Sequence, residues 1–506
     1  MDQLQMLIVM IVYMSVITLW GFYQGKKVKT NSEYSIAGRR LPGWVAALSE
    51  RATGESSWAL LGLPGAAYAT GLLETWTAIG CVLGVICAWL FLAGRLRNEA
   101  EKYEIETFMD FIAKRHGNTG KYIRITGSLA IVFFFFFYVG AQFIGGGKTI
   151  ENLFGINQLW GMLFIVILVV PYTIYGGFRS VTYTDVIQAI IMVVTLIIAP
   201  IAGIIYLSEA PEGTTFAHSI ADALTKAGHE YSSFTGGAQV SHDSPLYQFL
   251  YNIFPESPDL LKGLGTGIII AGAFSWFFGY QGGQPQLTTR FMAIKSPKEA
   301  KRASIIGIIW TIIAYSGALM VGWIGLAIFG PTGLEDQEKV MPQVLTTLFH
   351  PIIAGILITG VLAAIISTAN SLLILSSTEL SESVITPLNK KYGRKNSPLF
   401  QSRIVTAVLS IIALTMAYFS PEKLIYTIVS FVWAGIGSTF SVVIVLTLFW
   451  KRFHGIPALL TIITGIVFTL IWMMFGMEQF ITARLMTFII ALLIAVLSTW
   501  MIKKRQ

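Results

Sequence analysis

The sequence predicts an all-α integral membrane protein with about thirteen transmembrane helices. Three observations carry this. Hydrophobic residues make up 54% of the chain and charged residues only 12%, against about 25% charge in a soluble domain. The apolar residues fall into runs long enough to cross a bilayer. The basic residues gather between alternate runs, which is the bias of cytoplasmic loops. That clustering accounts for the net charge of +8 without nucleic acid as a partner, and it makes the lipid bilayer the chain's surroundings.

The runs lie near 5–24, 43–68, 73–96, 124–152, 158–176, 184–207, 262–284, 302–330, 347–376, 402–420, 424–449, 455–476 and 481–502. Asp2 precedes the first run, with no basic flank and no cleavage motif, so that run reads as a retained span. Basic clusters follow the odd-numbered runs: Lys26–Lys29 with Arg39 and Arg40, Arg95–Lys121, Arg290–Arg302, Lys390–Lys395, Lys451 with Arg452, and Lys503–Arg505. The loops 208–261 and 331–346 are acidic instead. An odd number of spans in the plasma (inner) membrane, with the N-terminus outside and the C-terminus cytoplasmic, satisfies this pattern throughout.

Loop 208–261 is too polar to span and reads as an external cap. Its His218, His229 and His242 lack metal-ligand spacing. The stretch GGGKT at 145–149 is no phosphate loop. Gln142 stands where the motif needs Gly and no strand precedes it, so the glycines read as helix-packing residues. Cys81 and Cys87 share one apolar run and imply neither a disulfide framework nor a metal site.

Two spans are chemically odd. The second contains ALSERATGESSW, with Glu50, Arg51, Gly54 and Glu55 inside an apolar run. The seventh contains SWFFGYQGGQPQ, interrupted by Gly279, Gly282, Gly283 and Pro285. Five spans separate them, so they cross in opposite directions. Paired interruptions at matching places point to an inverted-repeat transporter with a central site, because broken helices free backbone N–H and C=O groups at mid-membrane. Irregular backbone at that depth survives only when buried in protein or lining a cavity.

WALLGLPGAAYATGLLETWTAIGCVLG at 58–84, with AGRLR at 93–97, is similar to the sodium/solute symporter family, and most closely to its sodium/proline symporter branch. So are EYSIAGRRLPG (33–43), YGGFRSVTYTDVIQA (175–189), GQPQLTTRFMA (283–293), LAAIISTANSLLILSS (362–377) and YTIVSFVWAGIGSTF (426–440). The resemblance implies a leucine-transporter-like, five-plus-five inverted-repeat core with two discontinuous helices. Residues 1–42 would hold a leading span and the first cytoplasmic loop. Residues 43–420 would form the transport core, with repeat one at 43–207, the external loop at 208–261 and repeat two at 262–420. Residues 421–506 would carry the trailing spans and cytoplasmic C-terminus.

By the same resemblance, Na⁺ would bind the backbone oxygens of Ala52, Glu55 and Ala364 and the hydroxyls of Ser367 and Thr368. Oxygen ligands suit a hard cation. A second cation site would use Asp185, Ser367, Asn370 and Ser371. The solute would meet Ser56, Ser57, Trp58 and Tyr138 at the first break, and Trp276, Tyr280, Gln281 and Pro285 at the second. Aromatic rings offer a ring-shaped solute a packing surface, while hydroxyls and helix ends take a carboxylate. The stretch GYQGGQP is one residue longer than usual in the family, which leaves the register of Trp276, Tyr280 and Gln281 open.

The charges depart from the branch pattern, in which the break is built from small residues around one Asp. Gly54 stands at that Asp, Glu55 follows it, and Glu50 and Arg51 replace small neutral residues. Intramembrane charges need partners or a function. Arg51 and Glu55 could be a static ion pair at i, i+4 spacing. They could also be a coupling pair, with Glu55 carrying a proton or Arg51 supplying the positive charge that Na⁺ would bring, or Glu55 could bind Na⁺ or solute directly. The expected function is cation-driven symport of a small organic solute, proline or a related amino acid, with H⁺ in place of Na⁺ or a cation-independent carrier as alternatives. A transporter-like sensor would need a separate partner protein. No intramembrane enzyme motif is present.

Overall fold

The computed structural model describes residues 2–236, 245–253, 258–392 and 397–502. His242 and the basic residues Arg394, Lys395, Lys503, Lys504 and Arg505 lie outside them. Every element among the described residues is helical, and the one extended pairing is an isolated parallel bridge between Leu41 and Ile294.

Start signals in the sequence become helix starts. Thr30 and Glu33 form a reciprocal capping box before Asn31–Ile36. Ser296 caps Pro297–Phe329, and proline also opens Pro285–Ala293, Pro351–Leu380 and Pro398–Phe419. The first helix, Asp2–Gly25, shows how an all-apolar helix is sorted by environment. Met10, Met14 and Ile17 are buried at helical spacing, whereas Leu4, Ile8, Val12, Val16 and Leu19 are exposed. Such wide apolar exposure fits lipid, not water.

Among the described residues, ten helices are long and apolar enough to cross a membrane. Two of them are double crossings. Gln158–Glu209 has 52 residues, about 78 Å, far beyond a single crossing of about 30 Å. It turns at Gly177, where φ is +56° and a Cβ would lie 2.4 Å from the Tyr34 ring. The stretch Gly43–Lys102 turns at Gly71, where φ is +64°. The interrupted segment 258–293 adds one more crossing, so the count is the thirteen that the sequence predicts.

The two interruptions fall where expected. The first break is at Ser56, whose φ of +44° and ψ of −171° lie outside the helical region. Such a conformation is rare for a residue with a side chain and marks a constrained site. The seventh span is interrupted between Phe274 and Pro285, where only the single turn Trp276–Gly279 stays helical and φ is positive at Gly282. At Gly283 a Cβ would stand 1.9 Å from the Gly437 carbonyl, so only glycine allows this approach.

Pro351–Leu380 lies at the centre. Its apolar window is 83% buried, against 28% for the peripheral Ala483–Met501. It packs on Gly43–Ser57, Gly120–Phe154 and Gln158–Glu209. Gly145, Gly146 and Gly147 sit inside Gly120–Phe154, where a Cβ on Gly147 would meet Gln158 at 2.7 Å, a close helix approach. The polar loop carries short helices at Ile220–Ala227, His229–Ser232 and Pro245–Ile253, with His218 and His229 exposed. Cys81 is buried and Cys87 half-buried, both as free thiols.

Candidate functional site

Gly43–Ser57 presents two polar faces to different neighbours. On one face Ser49 and Thr53 are four residues apart; Thr53 meets the central helix Pro351–Leu380 and Ser49 meets Asp185 and Arg290. Thr368 Oγ1 donates to the Thr53 carbonyl at 2.8 Å. Thr53 Oγ1 lies 3.2 Å from Ser367 Oγ and 3.0 Å from Ser371 Oγ. Ser49 Oγ donates to Asp185 Oδ2 at 2.6 Å. Asp185 Oδ1 is buried without a hydrogen-bond partner among the described residues. Ala52 and Ala364 are fully buried. This cluster of oxygens inside an apolar bundle has the chemistry of a hard-cation site.

A guanidinium stands beside it. Arg290, from Pro285–Ala293, places Nη2 3.1 Å from Asp185 Oδ2 and donates from Nε to Ser49 Oγ at 2.8 Å. It also donates to Ser371 Oγ and to the Gln286 carbonyl. Asp185, Ser367 and Ser371 therefore come together as expected, with a protein-borne cation among them. Asn370 turns elsewhere: its amide reaches Tyr172 and its carbonyl oxygen accepts from Thr173.

The other face carries the charges. Arg51 grips Glu50 through two donors, Nε and Nη2, the Nε bond being 2.5 Å. Its Nη1 reaches Glu55 Oε1 and Thr311 Oγ1, each at 2.9 Å. Trp89 Nε1 donates to Glu50 Oε2 at 3.1 Å. All three charged side chains are buried. The sequence singles out Glu55 as partner of Arg51; in the fold the two-point partner is Glu50, with Glu55 second. A Cβ on Gly54 would lie 3.4 Å from Arg51 Nη2 and from Leu287. A longer side chain there would have to displace the guanidinium, which relates the missing Asp to the added Arg.

Above the breaks the rings form a box. The Trp58 and Trp276 indoles stack with centroids 4.1 Å apart and planes within 5°. Trp433 lies 5.4 Å from Trp276 and 5.2 Å from Tyr280. Tyr426 and Tyr315 close two more sides, and Tyr280 OH meets Tyr315 OH at 2.6 Å. The break itself is tied in: Ser56 Oγ accepts from Trp58 N–H at 3.1 Å and from Tyr138 OH at 3.2 Å. Ser57 N–H donates to Gln142 Oε1 at 3.0 Å, while Ser57 Oγ has no partner among the described residues. Pro285 opens the helix Pro285–Ala293 after the second break and is buried. Gln281 turns away, toward the Gly84 and Phe277 carbonyls.

Sequence reasoning misses Ser49, Thr53 and Arg290 on the cation side, Trp89 and Thr311 around the charges, and Tyr315, Tyr426 and Trp433 in the box. Ser49 and Thr53 carry a readable signal, two hydroxyls at i, i+4 in an apolar span. Arg290 carries another, a charge beside the second interruption. Tyr315 carries none, since one tyrosine in an apolar helix looks like packing.

Thirteen crossings, two broken helices and a buried oxygen cluster below an aromatic box define a secondary transporter of the inverted-repeat class. The fold is shared with a Na⁺-coupled sialic acid symporter solved in a substrate-bound outward-open state, at a TM-score of 0.77 and 19% identity over 99% of both chains. It is also shared with Mhp1, a nucleobase-cation-symport-1 family transporter, at a TM-score of 0.51 and 13% identity over 93% of this chain and 95% of that one. Residues 34–465 match the sodium:solute symporter family. The chain is 35% identical to the high-affinity proline transporter PutP of Bacillus subtilis, over 94% of this chain and 93% of that protein. It is 33% identical to sodium/proline symporter 2 of Staphylococcus saprophyticus, over 92% and 86%. The chain belongs to the sodium:solute symporter family; it is a multi-pass membrane symporter of a small-molecule solute, not an enzyme.

Proposed function

We propose that this symporter imports proline or a related amino acid down the Na⁺ gradient by alternating access. The carrying observation is that the oxygen cluster and the aromatic box meet on one broken helix, within the ten residues from Ser49 to Trp58. Relatives named as proline transporters or sodium/proline symporters, 32–35% identical over more than nine-tenths of this chain, supply the solute class. In this reading Na⁺ is held by the carbonyls of Ala52, Glu55 and Ala364 and the hydroxyls of Ser367 and Thr368. It thereby joins Gly43–Ser57 to Pro351–Leu380. The solute ring packs between Trp58 and Trp276 once these part, and its carboxylate takes the polar groups of Ser56 and Ser57. The N-terminus is outside, the C-terminus cytoplasmic, and the core spans 43–420 as two repeats.

Reconstituted protein should accumulate labelled proline under an inward Na⁺ gradient, in preference to other members of a solute panel. Ser367→Ala and Thr368→Ala should each raise half-saturating Na⁺ about tenfold, since a hydrogen-bonding ligand to a charge is worth about 1.5–3 kcal/mol. Unchanged Na⁺ dependence in both variants would remove the ion from these residues.

One observation favours a second reading, with H⁺ as the coupling ion. Glu55 Oε2 is buried with no hydrogen-bond partner among the described residues, so a proton has a place to reside there. Under that reading a proton gradient alone drives accumulation, and Glu55→Gln exchanges solute but does not concentrate it. Full accumulation by Glu55→Gln excludes it.

A further inference from the structure

The charges on the first broken span do not cancel. Glu50, Arg51 and Glu55 are two carboxylates against one guanidinium, all buried. Both Glu50 oxygens are engaged, by Arg51 Nε and Nη2 and by Trp89 Nε1 at 3.1 Å. Glu55 is engaged at one oxygen: Arg51 Nη1 donates to Oε1 at 2.9 Å, and Oε2 has no hydrogen-bond partner among the described residues. Arg290, the cation of the opposite face, stands 3.1 Å from Asp185 and is held there. The triad is therefore left with one negative charge, open at Glu55 Oε2. A desolvated charge without a counter-ion is costly, so the site favours an arriving cation.

That oxygen stands at the foot of the aromatic box. Trp58 Nε1 donates back to the Gly54 carbonyl at 3.3 Å, which sets the indole beside the Gly54–Glu55 peptide. Tyr315, whose ring centroid is 5.9 Å from that of Trp58, faces Glu55 with its hydroxyl, which also meets Tyr280 OH at 2.6 Å. Aromatic faces are negative and attract a cation just as the carboxylate does. A metal cation takes several oxygen ligands, whereas this spot offers one open oxygen beside rings and a guanidinium. An ammonium needs one strong acceptor and tolerates aromatic walls, and it fits.

We propose that Glu55 is the specificity residue of the central site: its open carboxylate oxygen accepts an N–H from the solute's ammonium, so the symporter takes amino acids and rejects isosteres without a charged nitrogen. This rests on the amino-acid reading above and deepens it. It also gives the departure from the branch pattern a chemical meaning. Arg51, fixed at two points by Glu50, positions the Glu55 carboxylate through Oε1 and leaves Oε2 for the solute. With the ammonium bound the local charge is balanced, and the rings can close over it.

Calorimetric titration of the purified full-length protein at saturating Na⁺ tests this with two ligands of one shape and hand: L-proline, and tetrahydrofuran-2-carboxylate, in which an ether oxygen replaces the ammonium. The unmodified protein should bind proline more tightly by about tenfold or more, the worth of a hydrogen bond to a charged group. Glu55→Gln should lose about that factor for proline and hardly change for the ether, so that the preference disappears. Glu55→Asp keeps the charge and should retain much of the preference. A purely structural role would weaken both ligands alike. Equal affinity of the unmodified protein for the two ligands overturns the role of Glu55, and this arm needs no variant to fold. An equal loss of both ligands in Glu55→Gln, or a loss of neither, also overturns it; in each of these cases proline still binds the unmodified protein and the proposed function stands. No amino-acid binding to the unmodified protein overturns both.

Discussion

Arg51→Met is expected to destabilise the protein by about 3–5 kcal/mol, because it leaves two buried carboxylates without their shared cation. Glu50 loses both guanidinium bonds and Glu55 loses its bond to Arg51. The geometry makes a finer prediction as well. Glu55→Gln alone should be mild, since Arg51 keeps Glu50 and Thr311. Glu50→Gln should be the worse of the two, because the two-point contact and the Trp89 bond both end on Glu50. The combination Glu50→Gln with Arg51→Met and Glu55→Gln should recover most of the loss, as neutral groups of similar size need no counter-charge. Thermal unfolding of the purified protein in detergent measures all four. Wild-type stability in Arg51→Met would show that the triad is not a structural unit.

Trp58→Ala should raise the proline concentration for half-maximal binding by about a hundredfold or more. Removing a buried indole costs about 3–5 kcal/mol, and each 1.4 kcal/mol is about tenfold in affinity. Trp58 is the ring that the broken helix holding the oxygen cluster contributes to the box, and it stacks flat on Trp276 across the two breaks. Trp58→Phe keeps a flat ring and should recover most of the affinity. Binding at saturating Na⁺ separates this from an effect on the ion. An unchanged value in Trp58→Ala would place the solute pocket elsewhere.

Much of the candidate site was legible from the resemblance to the family. Ser367 and Thr368, Trp58 and Trp276 lie in stretches whose chemistry is visible along the chain, and the fold brings each pair of spans together. Asp185 and Asn370 show the limit. Both are polar residues in apolar spans, yet Asp185 faces the oxygen cluster whereas Asn370 bonds to Tyr172 and Thr173. Which way such a residue points depends on the helix rotation that packing selects, and a single span does not encode that. Gln281 is the same case in the longer GYQGGQP stretch: its amide ends on backbone carbonyls and not in the box.

The sequence by itself determined the class of protein, the number of crossings, the two interrupted spans and the presence of charge within the first of them. These follow from local free energies: lipid demands apolar runs and satisfied backbone, and it tolerates a charge only with a partner. The tertiary structure alone decided the partners. It gave Arg51 to Glu50 first and Glu55 second, and set Arg290 beside Asp185 from a span more than a hundred residues away. It also brought Glu74 and Arg484 to the wall of one cavity. Partner choice is a matter of distance in space. In a bundle where each helix touches several others, that distance is fixed by how all of them pack together and not by any one of them.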